Sequence, residues 1–373
     1  MTRYYLISII ILASFSCIDP FAIDLEDDKA GGQLVVEGIL TAEDKPQIVR
    51  LSRSAPVEQF SGYESVSGAT VSIKDDLDNC FQLDESQPGV YVTNQDEFSP
   101  VFDRSYQLDI ALENGVKYIS DFQKLEAVAP IDRLWVRGET ESFLAGSNVA
   151  ETELLNVYTN VNVGDDDAFL SYDYEGVYEF KTLYQGETRC WDSIQAVPIE
   201  LFPLDSARTC FKSQEVVLPL NLYTTRNLKI DNNTNQKILS ISPGREFFFG
   251  YSMLVWKYKL TEAYFNYLDQ IKEQSSFGGD LFAPPPTPVV GNIHEEGNDG
   301  NRALGYFTVL SSTSKRIFIT NQVLSEPIRD PFNRLNCVDK FPPTDPPRLP
   351  PITCCDCLLL EGATDQKPDF WPL

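Results

Sequence analysis

Short runs of alternating apolar and polar residues, rather than helical repeats, fill most of this chain. Between residues 33 and 128 they fall at 34–40, 48–52, 69–73, 80–83, 90–93, 106–112 and 118–125, separated by clusters of Gly, Pro, Asp and Asn. Tyr106, Leu108, Ile110 and Leu112 alternate with Gln107, Asp109 and Ala111, the period-two pattern of a half-buried strand. Glu113-Asn114-Gly115 then supplies a tight turn into Tyr118. Seven short strands with turn residues between them predict an immunoglobulin-like β-sandwich over 33–129.

Pro130 marks a boundary, and a larger β-rich block is expected over 130–323. It opens with Leu134-Trp135-Val136 and continues through 157–163, 169–180, 216–223, 236–241 and 254–260, all rich in Tyr, Phe, Val and Thr. One helix is predicted, over 261–274. Thr261 can cap the amide of Tyr264, Glu262 suits the positive end, and Tyr264, Leu268 and Ile271 share one face. Beyond Gly278-Gly279 come Leu281-Phe282, the prolines 284–286 and Pro288, and Gly291-Asn292-Ile293. Proline density forces this stretch into an extended path. Residues 303–310 and 316–319 read as a strand pair. The tail 324–373 is rich in proline and cysteine and too poor in apolar periodicity to make a core, so disulfides or packing against the second block must hold it.

The start of the chain has a different grammar. Arg3 precedes a short apolar run at 6–12, broken only by Ser8, and Ala13, Ser14 and Ser16 lead to Cys17. This is a secretory leader ending at a lipidation site, since the apolar run is well short of the ~20 residues a span requires. Residues 1–17 are therefore read as signal peptide plus Cys17, the acylated first residue of a lipoprotein, with covalent lipid as its only prosthetic group. The acidic residues 18–32 form a tether to the bilayer.

The net charge of −25 removes nucleic acid from consideration, because phosphate binding needs a basic face. An anionic membrane surface is disfavoured for the same reason, and attachment falls to the lipid. Eight cysteines are present. With Cys17 acylated, an oxidising compartment allows six of the remaining seven to pair. Cys190, Cys210, Cys337, Cys354, Cys355 and Cys357 are the disulfide candidates, and Cys80 is the expected spare, buried as a small apolar residue. Adjacent Cys354 and Cys355 need distant partners, among Cys337, Cys190 and Cys210, while a Cys190–Cys210 bridge is equally open. A zinc site is the weaker reading of the C-x-x-C at 354–357, which lacks a second close pair.

His294 is the only histidine; it is read as a solvated loop residue, and no catalytic residue is assigned. Asp165-Asp166-Asp167 lacks the ligand spacing of a calcium loop and is read as a turn, as is Asp231-Asn232-Asn233. No metal site is expected. The stretch 277–293 is the place to seek partner contact, with Phe277, Leu281, Phe282 and Asn292 as contact candidates; a crossover packed on its own domain is the competing reading.

Several segments together carry a resemblance: Leu34-Val35-Val36-Glu37-Gly38, Leu51-Ser52-Arg53-Ser54, Gly68-Ala69-Thr70-Val71, Tyr264 to Gln270, Gly278 to Phe282, Gly291-Asn292-Ile293, Leu304-Gly305-Tyr306-Phe307, Lys315-Arg316-Ile317-Phe318-Ile319, Cys354-Cys355-Asp356-Cys357 and Lys367-Pro368-Asp369-Phe370-Trp371. In this order they resemble the domain of unknown function 4249 family, lipoproteins of Bacteroidota. The resemblance implies an outer-membrane lipoprotein, often encoded beside a large TonB-dependent outer-membrane receptor, with no catalytic residues to carry over. The acidic run 24–28 is similar to signals that export such lipoproteins to the cell surface.

The function expected is that of a non-enzymatic accessory or substrate-binding subunit of a TonB-dependent transporter, lipid-anchored in the outer membrane and facing the cell surface. An independent surface hydrolase or carbohydrate-binding protein is the first alternative, and a structural or adhesive surface protein the second.

Overall fold

A computed structural model describes residues 32–372, apart from 44, 55–63, 95, 146–147, 162–168, 185–188, 193, 202–208, 215–219, 227–233, 277–288 and 325–348. Among the described residues the chain is mainly β, with one α-helix and a disulfide-held tail. The first strands are β1 (Leu34–Thr41), β2 (Ile48–Arg53), β3 (Glu64–Ser65), β4 (Thr70–Asp75), β5 (Cys80–Gln87), β6 (Val90–Thr93), β7 (Ser105–Ala111), β8 (Lys117–Ser120) and β9 (Gln123–Lys124). Then come β10 (Leu134–Ala145), β11 (Asn148–Val161), β12 (Phe169–Phe180), β13 (Arg189–Asp192), β14 (Val197–Glu200), β15 (Cys210–Gln214), β16 (Asn221–Thr224), β17 (Thr234–Ile241) and β18 (Gly250–Leu260). Helix α1 (Glu262–Ser276) is followed by β19 (Ile293–Glu295), β20 (Asn298–Arg302), β21 (Leu304–Ile319) and β22 (Ala363–Thr364).

Six of the seven strands expected before Pro130 form as single strands, and the seventh, 118–125, is split into β8 and β9. Inward positions of β7, Tyr106, Leu108 and Ile110, are buried, and the core they join includes Val36, Val49, Ile73 and Tyr91. That core is completed from far along the chain by Ile293, Ala303, Phe307 and Val309. Strand β1 lies between β2, antiparallel, and β21, parallel, with Val35 opposite Leu304 and Thr41 opposite Leu310. From β2 the pairing passes through β6, β5, β4, β7 and β8 to β19. Asn292 carries it back to β21: its Nδ2 donates to the Phe307 carbonyl at 2.8 Å, and its Oδ1 accepts from the Phe307 amide at 2.9 Å. The round of neighbours thus returns to its starting strand.

Strand β21 is one continuous element of 16 residues, where the sequence predicts two strands and a turn. The polar stretch Ser311-Ser312-Thr313-Ser314 stays extended because it pairs with β18 from Ser311 opposite Lys259 to Ser314 opposite Trp256. Ser311 is buried and its hydroxyl donates to the Glu126 carbonyl at 2.6 Å. Close to its start, Gly305 has φ +89°, and a Cβ there would lie 2.0 Å from the Val36 carbonyl oxygen, so only glycine permits the approach to β1.

A second core lies between the sheet β15–β12–β18–β21 and the three-stranded sheet β10–β11–β17, with Leu155, Val157, Tyr172, Tyr174, Tyr178, Tyr251 and Met253 inside it. On the opposite face of the larger sheet, α1 buries Tyr264 and Phe265 against Phe169, Leu260, Tyr306 and Leu310. Its start is as the sequence predicts: the Tyr264 amide donates to Thr261 Oγ1 at 3.2 Å.

Two expectations are corrected. Cys80 is a free thiol but is exposed; Leu83 points into the core and Phe81 is half-buried, so the period of two turns Cys80 to solvent. His294 is not a loop residue but a half-buried member of β19, opposite Ile119 and Arg302. The segment 293–295, Ile-His-Glu, was too short and too polar to reveal a strand.

Asn292→Ala leaves a buried amide and a buried carbonyl of Phe307 without partners. It is expected to cost about 2–4 kcal/mol, read as a lowered midpoint in urea unfolding. A midpoint equal to wild type would show that β19 and β21 are held by something other than this side chain.

Candidate functional site

Four neighbouring strands bring a row of outward residues together at one end of the larger sheet. Phe211 of β15 stands opposite Glu179 of β12, which stands opposite Gly250 of β18, and Ser252 of β18 stands opposite Phe318 of β21. Directly opposed residues share a face, and this one is turned away from the core that holds Tyr178, Tyr251 and Ile319.

The C-terminal segment crosses that face as a strap. It leaves the β15 edge at β22, where Thr364 pairs with Phe211, and ends over β21. Trp371 packs edge-on against Phe211 at 5.0 Å and against Phe318 at 5.8 Å. Trp371 Cζ2 would stand 3.3 Å from a Cβ at Gly250, so the absence of a side chain there lets the indole settle on the sheet. Phe370 is fixed by the Arg316 guanidinium, 3.7 Å from its ring centre, and Arg316 also donates to Ser252 Oγ at 2.7 Å.

Two disulfides hold the root of the strap, Cys190–Cys355 and Cys210–Cys357. Cys354 is disulfide-bonded as well. Around them the Tyr184 amide donates to the Cys354 carbonyl at 3.1 Å, Thr182 Oγ1 to the Cys355 carbonyl at 2.9 Å, and the Trp191 amide to the Pro350 carbonyl at 2.8 Å. The alternative of a Cys190–Cys210 bridge is therefore excluded. The two cysteines lie on separate elements, β13 and β15, and each reaches the tail instead.

Under the strap lies an open cleft of about 740 Å³, lined by Phe211, Phe249, Phe318 and Trp371 with Glu179, Asp365, Lys367, Thr209 and Thr320 among the polar groups. Lys181 sits 5.6 Å from the Phe249 ring centre. Tyr251 borders it, but its ring lies on the core side of the sheet. Burial pushes its hydroxyl well above the ordinary tyrosine range, and that hydroxyl donates to Gln214 Oε1 at 2.9 Å. It stays protonated at neutral pH and serves as structure, not as an acid or base. The cleft thus offers ring surfaces and a few fixed charges, the composition of a ligand pocket.

The sequence-level site residues fare unequally. Cys17, Cys337, Phe277, Leu281 and Phe282 lie outside the described residues, as do the two acidic turns at 165–167 and 231–233. Asn292 is described and is not a contact residue: it is buried, with its amide spent on Phe307. The sulfurs of Cys354, Cys355 and Cys357 are engaged in disulfides and are not thiolate ligands. Sequence reasoning missed the cleft, although the aromatic clusters at 247–251 and 370–371 both contribute to it.

Fold and site together define a mainly β protein whose disulfide-pinned C-terminus builds an aromatic cleft on the outer face of a sheet. Residues 18–316 match the family described as Domain of unknown function (DUF4249), and the chain belongs to that family. No curated protein matches it.

The Cys210–Cys357 bridge closes a separation of 147 residues, for which chain entropy predicts a contribution of about 3–5 kcal/mol. The double variant Cys210→Ser/Cys357→Ser is expected to melt several degrees lower than wild type, and dithiothreitol should lower the wild-type melting point in the same direction. Equal melting points in all three samples would remove the disulfides as the hold on the strap.

Proposed function

We propose that this protein is a non-enzymatic, lipid-anchored binding protein of the outer membrane, which captures a substrate at the cell surface for a TonB-dependent outer-membrane receptor. The observation that carries the reading is the strapped cleft. Its walls are aromatic rings and its polar groups are held apart on different strands and on the strap, which suits holding a molecule rather than transforming one. Disulfides joining β13 and β15 to the tail accord with an oxidising envelope compartment. The leader ending at Cys17 supplies the anchor, and confinement to the membrane plane raises the local concentration beside a receptor, so that a weak interface suffices.

Two measurements on the full-length chain test this. Wild type is expected in the membrane fraction and Cys17→Ser in the soluble fraction. A C-terminally tagged wild type, extracted in mild detergent, should bring down a large β-barrel protein. Retention of Cys17→Ser in the membrane defeats the anchor, and a pull-down free of any barrel defeats the receptor role.

A further inference from the structure

We propose that the strapped cleft takes a neutral saccharide, an inference that rests on the binding reading above and gives it a ligand class. The volume of about 740 Å³ falls within the ~300–1,000 Å³ of small-molecule sites. Phe318 is 44% exposed on the cleft wall, and Phe249 is half-buried there. These rings offer flat apolar surface to a ligand that itself has a flat apolar face.

The polar groups narrow the class. Glu179 only accepts hydrogen bonds, Lys367 only donates, and Thr209 and Thr320 do both. An acyl chain or other hydrocarbon would strip water from Glu179 and Lys367 and return no hydrogen bond, a costly exchange. A polyanion meets two carboxylates in a chain of net charge −25. A basic peptide finds the carboxylates but is opposed by Lys367. A pyranose ring satisfies every group: its C–H face lies against an aromatic ring, and each hydroxyl at its rim both donates and accepts.

The same face continues along the sheet beyond the strap. Trp256 stands opposite Asp173, Leu254 opposite Glu175, and Ser252 opposite Val177, so ring and carboxylate recur away from the cleft. A chain of several sugar units has surface to follow.

Calorimetric titration of the full-length protein in detergent is the test, with neutral gluco-, manno-, galacto- and xylo-hexasaccharides of both linkage types as probes and hexalysine as comparator. At least one saccharide is expected to bind with Kd between about 10 μM and 1 mM. Phe318→Ala should weaken it about tenfold, and Glu179→Gln severalfold, with melting points within about 3 °C of wild type. The proposal is overturned if no saccharide binds more tightly than ~1 mM, if hexalysine alone binds, or if both folded variants bind like wild type. Receptor capture needs no ligand. Failed titrations with the barrel still captured therefore reject the saccharide alone, whereas loss of both rejects the capture role as well.

Discussion

One strand carries the pairing on which the rest of the molecule depends. The first half of β21 lies parallel to β1 and its second half antiparallel to β18, so a single element is shared by the N-terminal round of strands and the larger sheet. It also feeds all three cores, with Phe307 and Val309 in the first, Ile319 in the second, and Tyr306 and Leu310 beneath α1. At about 3.3 Å per residue such a strand is ~50 Å long, enough to tie distant parts of the fold into one sheet. Its partner β1 lies far back along the chain, with Val35 opposite Leu304. The N-terminal core therefore closes only after the intervening residues have been placed, the costly non-local kind of contact.

This dependence explains what could be read from sequence and what could not. Period two located the strands of the first block, and the cap at Thr261 located α1, because both are local signals. The continuity of β21 was hidden because Ser311 to Ser314 look like a turn until β18 and the Glu126 carbonyl supply their partners. The disulfide partners were open for the same reason. Cys190 and Cys210 are close in sequence, yet they reach Cys355 and Cys357 because pairing places β13 and β15 beside the tail. Asn292 looked like an exposed loop residue between glycine and isoleucine, and only the return to β21 shows why an amide side chain sits there. The cleft was the least legible feature, since Glu179, Phe249, Phe318 and Trp371 come from four separate stretches.

Between the two blocks, residues 130–132 are held by buried or half-buried ammonium groups rather than by carboxylates. Lys257 is buried and its Nζ donates to the Pro130 carbonyl at 3.3 Å. Lys315 donates to the Ile131 carbonyl at 3.2 Å and to that of Asp132. Desolvation lowers the Lys257 pKa, which means the protein bears a cost to place that charge indoors. The carbonyl dipoles offset part of it. A connection fixed by β18 and β21 themselves cannot swing freely, so the shared strand and the linker constrain the two blocks together.

The larger sheet explains why the cleft lies where it does. Its inner face is filled by β10, β11 and β17, but its outer face is long and must be covered at both ends. At the Phe169 and Leu260 end, α1 supplies a continuous apolar surface and packs flush. At the Glu179 and Phe318 end the described residues supply a strap that meets the sheet through Trp371 and Phe370. Two anchored rings and an irregular backbone cover a sheet less completely than a helix does. The space left between them is the cleft, and the disulfides at the strap's root keep that space from collapsing or opening.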